Sequence, residues 1–265
     1  MSYADVNGVH LYHESHGAGA PLVLLHGGVG SGEMFAPILP ALTAHRRVIT
    51  VDLQAHGRTP DVDRPLRHET LADDVAALVR HLGLTGVEVL GYSLGGAVAL
   101  RTAIQYPGLV RRLVCVSTPC RRDGWYPEVL AGMATMGEET AAGAHSAPAY
   151  AHYARVAPEP RDWPVLWTKL GDLLRRDYDW SAEVAALTVP TLLVFADADS
   201  VRATHMVEFF GLLGGGHRDA GWDGTDRPAA RLAVLPGLTH YDIVDSPALA
   251  AAVVPFLTHP ARPPG

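Results

Sequence analysis

Residues 87–96 read Val-Glu-Val-Leu-Gly-Tyr-Ser-Leu-Gly-Gly, and their reading decides the fold. Val87 to Tyr92 is a short apolar run of the kind that lies buried on both faces of a parallel sheet. Leu94 to Gln105 then reads as a helix, closed by Tyr106-Pro107-Gly108. Ser93 sits at the junction, flanked by Gly91 and Gly95. Between a strand and a helix, G-x-S-x-G has a mechanical meaning. The serine occupies a sharp, strained turn that lifts its hydroxyl above the carboxyl edge of the sheet, where open α/β folds bind ligands. The following helix aims its N-terminus at the same point, leaving the Leu94 N–H free for an oxyanion. Without those flanks the five residues would be an ordinary glycine-softened turn.

Outward from this stretch, further apolar runs read as strands at Val9 to Glu14, Pro21 to Leu25, Arg47 to Leu53 and Leu113 to Ser117. Leu71, Val75, Leu78, Val79 and Leu82 form one helical stripe, with a cap-like start at Thr70 and a stop at Gly83. Strand and helix in alternation imply right-handed crossovers and an α/β architecture with a mostly parallel sheet. Pro119 to Thr188 breaks the pattern: it is rich in proline and aromatic residues and has no clear buried strand. Strands resume at Thr191 to Ala196 and Arg231 to Leu235, and a last helix spans Pro247 to Leu257. The expected organisation is a core of residues 1–118 and 188–258, a helical cap over 119–187 inserted after the sixth strand, and a flexible tail over 259–265. Gly211 to Pro228, polar and glycine-rich, reads as a mobile surface loop.

Composition limits the function classes. The chain has 265 residues, 48% hydrophobic and 18% charged, which excludes a disordered chain. A net charge of -7 argues against a nucleic-acid partner, which requires clustered Lys and Arg. Two cysteines, Cys115 and Cys120, are too few for a disulfide framework or a four-ligand zinc site. No run approaches the ~18 apolar residues of a membrane span, and residues 1–9 lack the pattern of a secretory signal. A cytoplasmic protein with no membrane partner is the expectation. No His/Asp/Glu set has metal-ligand spacing and G-x-G-x-x-G is absent, so neither metal nor dinucleotide cofactor is expected.

A nucleophilic serine needs partners. An oxyanion hole takes a second N–H from the loop after an earlier strand, and His26-Gly27-Gly28-Val29-Gly30 follows Pro21 to Leu25. Gly28 or Val29 would supply that N–H. The general base must come late in the chain, and His240 lies in Pro236-Gly237-Leu238-Thr239-His240-Tyr241, just after the last apolar strand. His26 precedes the serine and reads as structural; His217 and His259 follow no strand. The orienting acid belongs between the two, and the strand ending in Asp197-Ala198-Asp199-Ser200 offers it. The loop must turn before a carboxylate can face the histidine, which favours Asp199 and leaves Asp197 to fix the strand end. Asp199 or Ser200 capping a helix near Val201 is the competing role. Asp52 reads as a structural turn residue.

With these residues in place, the chain resembles the α/β-hydrolase family. The resemblance rests on GYSLGG around Ser93, FADADSV around Asp199, PGLTHYD around His240 and the HGG loop, and covers about residues 3–257. VDLQAHGRT resembles the family's D-x-x-G-x-G-x-S segment, with Ala55 and Thr59 where glycine and serine are commoner. It implies a serine carboxylic-ester hydrolase, acting on an ester or lactone, with Ser93, Asp199 and His240 as triad. A C–C bond hydrolase or a cofactor-free haloperoxidase would use the same triad, and some family members are non-catalytic receptors. Haloalkane dehalogenases and epoxide hydrolases carry aspartate at the serine's position, which separates their chemistry from this chain. In the cap, Tyr126, Tyr153, Trp125 and Trp163, with Tyr92 beside the serine, are the candidate substrate contacts; Met133 and Met136 are adaptable filler. Arg121 or Arg122 would meet a substrate carboxylate, the competing role being a solvated side chain.

Overall fold

The computed structural model describes residues 2–146 and 148–258. The tail expected over 259–265 lies outside the described residues. Eight strands form one sheet: β1 (Ser2–Val6), β2 (Val9–His16), β3 (Pro21–Leu25), β4 (Arg47–Val51), β5 (Val87–Tyr92), β6 (Val110–Val116), β7 (Thr191–Ala198) and β8 (Arg231–Thr239). Their order across the sheet is β1-β2-β4-β3-β5-β6-β7-β8. The pairs β1–β2 and β2–β4 are antiparallel, and the rest are parallel. β1, which the sequence reading missed, is an edge strand whose SYADV buries only Ala4 and Val6.

Successive side chains of a strand point to opposite faces, so a strand covered on both sides must be apolar throughout. β3 shows this directly. Val23 and Leu25 pack with α2 (His68–His81) and α3 (Leu94–Gln105), while Leu22 and Leu24 pack with Leu42 of α1 (Leu39–Thr43) on the other face. The α2 stripe Leu71, Val75, Leu78 and Val79 lies in the first cluster, as its spacing requires. α2 begins earlier than expected, at His68. Thr70 is already helical, its hydroxyl donating back to the Arg67 carbonyl instead of capping.

Between β6 and β7 the chain runs through α4 (Pro127–Ala134), α5 (Glu138–Ala141), α6 (Pro148–Val156), α7 (Trp163–Arg175) and α8 (Ser181–Ala185). This insertion is held by polar ties to the loops that follow β3 and β4. Lys169 of α7 donates to Asp61 and to the carbonyls of Val62 and Arg64. His152 of α6 bonds Ser31, and Glu33 bridges Arg58 and Arg155. After β7 come α9 (Ala203–Leu212) and, beyond β8, α10 (Pro247–Thr258), whose Leu249, Val253 and Leu257 complete the second core cluster. α9 takes Gly211 and Leu212 from the expected surface loop, and Trp222 beyond it is fully exposed. Among the described residues, no helix is long and apolar enough to cross a membrane.

Candidate active site

Ser93 links β5 to α3 with φ 52° and ψ -116°, in the left-handed region that a side chain rarely enters. The strain is imposed from both sides. The Ser93 N–H donates to the Val116 carbonyl of the neighbouring strand at 2.9 Å, and its own carbonyl accepts from Ala97 at 3.1 Å. The flanking glycines are a packing requirement. A Cβ on Gly91 would collide with the Gly95 carbonyl, and one on Gly95 with the Leu25 carbonyl of β3. The sequence pattern around Ser93 therefore reflects backbone approaching backbone across three elements.

The hydroxyl of Ser93 lies 3.1 Å from Nε2 of His240, whose Nδ1 lies 3.0 Å from Oδ1 of Asp199. A carboxylate accepts only, so Nδ1 carries the proton and Nε2 is left to accept from Ser93. Asp199 is 7% exposed and its remaining acceptor positions are filled. Oδ2 takes the Ser117 hydroxyl at 2.6 Å and the Ala196 N–H at 3.0 Å, and Oδ1 takes the Val201 N–H at 3.2 Å. Burial by itself would raise this carboxyl. Hydrogen bonding and charge from His240, with the donors Ser117 and Ala196, outweigh it and hold Asp199 below the usual carboxylate value. The competing cap role reduces to the one bond to Val201: α9 starts at Ala203 with no side-chain cap.

Neighbouring residues hold these three in place. Ser117, whose part was not legible in the sequence, has φ 51° and directly follows β6, its N–H donating to Val194 of β7, and its hydroxyl reaches Asp199. Asp197 accepts from the Leu238 N–H at 3.2 Å and so pins the turn that carries His240. Tyr92 lies beneath the imidazole, and its hydroxyl donates to the His240 carbonyl at 2.6 Å. Trp125 meets the ring edge-on, with centroids 5.5 Å apart. Its own segment is stitched to the loop after Asp199 by Tyr126 N–H to Ser200 O and Arg202 N–H to Gly124 O. His26 is structural: its Nδ1 bonds the Gly27 carbonyl and its Nε2 accepts the Leu53 N–H, and burial drives it down to about 4. Asp52 accepts the N–H groups of Gly32 and Arg58, fixing the turn after β4.

A cavity of about 510 Å³, counting its open mouth, adjoins Ser93. Gly28 and Leu94 line it together with Ser93, and Val29 does not. Among the described residues, no protein acceptor takes the N–H of Gly28 or Leu94. Ala97, Met133, Leu170 and Leu174 give it an apolar wall, of which the last three come from α4 and α7.

Of the five expected substrate-contacting aromatics, Trp125 alone lines this cavity. Tyr92 holds His240 instead. Tyr126 points outward, 36% exposed. Tyr153 and Trp163 are buried in an aromatic cluster with Tyr150 and Trp167 that packs the insertion onto the core. A core and a pocket wall both select aromatic residues by burying them, and composition does not separate the two. The two arginines part company as well. Arg121 pairs with Asp123 and Glu208 at the surface, whereas Arg122 lines the cavity. Among the described residues, no three His, Cys, Asp or Glu side chains converge to hold a metal ion.

Comparison with known proteins places this geometry in context. A family model for the alpha/beta hydrolase fold matches residues 20–155. Over 120 residues the chain is 37% identical to an sn-1-specific diacylglycerol lipase, ABHD11, of Xenopus laevis, covering 43% of this chain and 38% of that protein. The chain thus spans well under half the length of that relative. A solved hydrolase from Pseudomonas aeruginosa PA01 is 27% identical with a TM-score of 0.72, covering 97% of this chain and 98% of that one. The enol-lactonase from Burkholderia xenovorans LB400 shares the fold at a TM-score of 0.73 and 24% identity, over 97% of this chain and all of that one.

Proposed function

The chain belongs to the α/β-hydrolase family, and from that premise we propose that it is a serine hydrolase cleaving a carboxylic ester or lactone through an acyl-enzyme. The observation that carries the reading is the unbroken hydrogen-bond chain from Ser93 through His240 to Asp199. Ser93 Oγ attacks the carbonyl carbon as its proton passes to Nε2 of His240. Asp199 holds the tautomer and stabilises the imidazolium that forms. The N–H groups of Leu94 and Gly28 receive the developing oxyanion, a role favoured for Gly28 over Val29 by its place in the cavity wall. His240 then protonates the leaving alcohol, and water hydrolyses the acyl-enzyme by the same proton path. The helices α4–α8 serve as the cap, since Met133, Leu170 and Leu174 face the same cavity as Ser93. That wall suits a small to medium apolar or aromatic group.

Ser93→Ala tests this directly. Turnover of a p-nitrophenyl short-chain ester is expected to fall by about 10^4-fold or more, with unchanged circular dichroism. Retained activity would refute the assignment. Stoichiometric labelling of Ser93 by a fluorophosphonate, with no multiple turnover of any ester or lactone, would refute the enzymatic reading.

A further inference from the structure

The cavity beside Ser93 holds a charge that nothing inside it answers. Arg122 is half-buried in its wall. Its Nε donates to the Leu174 carbonyl at 3.1 Å, which fixes the guanidinium plane. No aspartate or glutamate lines this cavity, and among the described residues none lies within ion-pair distance of Arg122. The adjoining recess, which shares His68 and Tyr178, differs: there Glu69 and Asp177 accompany Arg67 and Arg176. A half-buried guanidinium with no acidic partner, held in the wall of an otherwise apolar cavity beside Ser93, is the complement of an anion bound there.

We propose that Arg122 binds an ionised carboxylate on the substrate, so that the substrates of this site are esters or lactones carrying a second, free carboxylate. The proposal rests on the hydrolase reading above and narrows its substrate class. The guanidinium fork matches a carboxylate with two parallel N–H···O bonds, which a neutral ester of the same length does not offer. The apolar wall of Ala97, Trp125, Met133, Leu170 and Leu174 accommodates the hydrocarbon between the carboxylate and the scissile carbonyl. Hydrolysis consumes one water and releases the alcohol and a dicarboxylic acid, or opens the lactone to a hydroxy diacid.

The test compares mono-p-nitrophenyl glutarate with p-nitrophenyl hexanoate, a neutral ester of similar length. The wild-type kcat/KM is expected to favour the half-ester by at least about tenfold. Arg122→Gln is expected to reduce that preference by about 10- to 100-fold, chiefly through KM of the half-ester, and Arg122→Lys to restore part of it. Absence of a preference in the wild type, or a preference that survives Arg122→Gln, overturns the proposal while leaving the hydrolase reading standing. Calorimetry separates the two further. Ser93→Ala is expected to bind monomethyl glutarate more tightly than methyl hexanoate, and to lose that difference when Arg122→Gln is added. This outcome supports the carboxylate subsite even if neither ester is turned over. Equal binding of the two esters to Ser93→Ala overturns it.

Discussion

The hydroxyl of Tyr92 offers a sharp test of how His240 is held. Tyr92 is 6% exposed, and its hydroxyl donates to the His240 carbonyl across 148 residues of chain at 2.6 Å. Burial pushes the phenol well above its ordinary value, so it stays protonated and donating at any working pH. Tyr92→Phe removes one oxygen and leaves the ring under the imidazole. The loss combines a neutral hydrogen bond with a buried carbonyl deprived of that donor, about 1–2 kcal/mol together. For a domain of this size that is a fall in Tm of about 2–4 °C. The catalytic consequence follows from position. The His240 backbone is what places Nε2 at 3.1 Å from Ser93, and if about 1.4 kcal/mol of the loss appears in the transition state, kcat falls about tenfold with KM held. Thermal unfolding and steady-state kinetics on a p-nitrophenyl ester measure both. A lowered Tm with unchanged kcat would refute the positioning role and leave Tyr92 a core residue. A raised KM with unchanged kcat would return it to the substrate contacts expected from sequence.

Two further outcomes follow from the packing and the buried histidines. Gly95→Ala drives a Cβ into the Leu25 carbonyl, backbone against backbone, and is expected to abolish folded protein or cost more than about 3 kcal/mol in urea denaturation; a wild-type midpoint would refute the close approach. Burial holds His26 at about 4 and His56 and His68 at about 3, against 6.5 when unfolded, so the unfolded chain binds their protons first as pH falls. Their stabilisation is complete above about pH 6.5 and is lost progressively below it until the folded pKa values are reached, by up to about 2 kcal/mol per histidine at about pH 5. A urea midpoint unchanged between about pH 7.5 and 5 would refute this.

What could be read from sequence was what depends on a few neighbouring residues. The turn at Ser93 is such a feature in its residue pattern, although only Gly91 answers a local steric demand, from Gly95, while Gly95 makes room for Leu25 of β3. So are the two-faced apolar strands β3, β5 and β7 and the stripe on α2. β1 escaped notice because an edge strand buries too few residues to leave a pattern. The order of Ser93, Asp199 and His240, each just past a strand, was legible too. Their mutual distances were not, since these require β5, β7 and β8 to lie in one sheet with their carboxyl ends aligned. Tertiary structure alone decided the remaining roles. It turned Arg121 toward Glu208 and its neighbour Arg122 into the cavity, sent Tyr153 and Trp163 to the core, and brought Ser117 to Asp199. Local chain chemistry sets backbone conformation over a handful of residues. Which side chain meets which across a hundred residues is set by the packing of whole elements, and no short stretch of sequence carries that information.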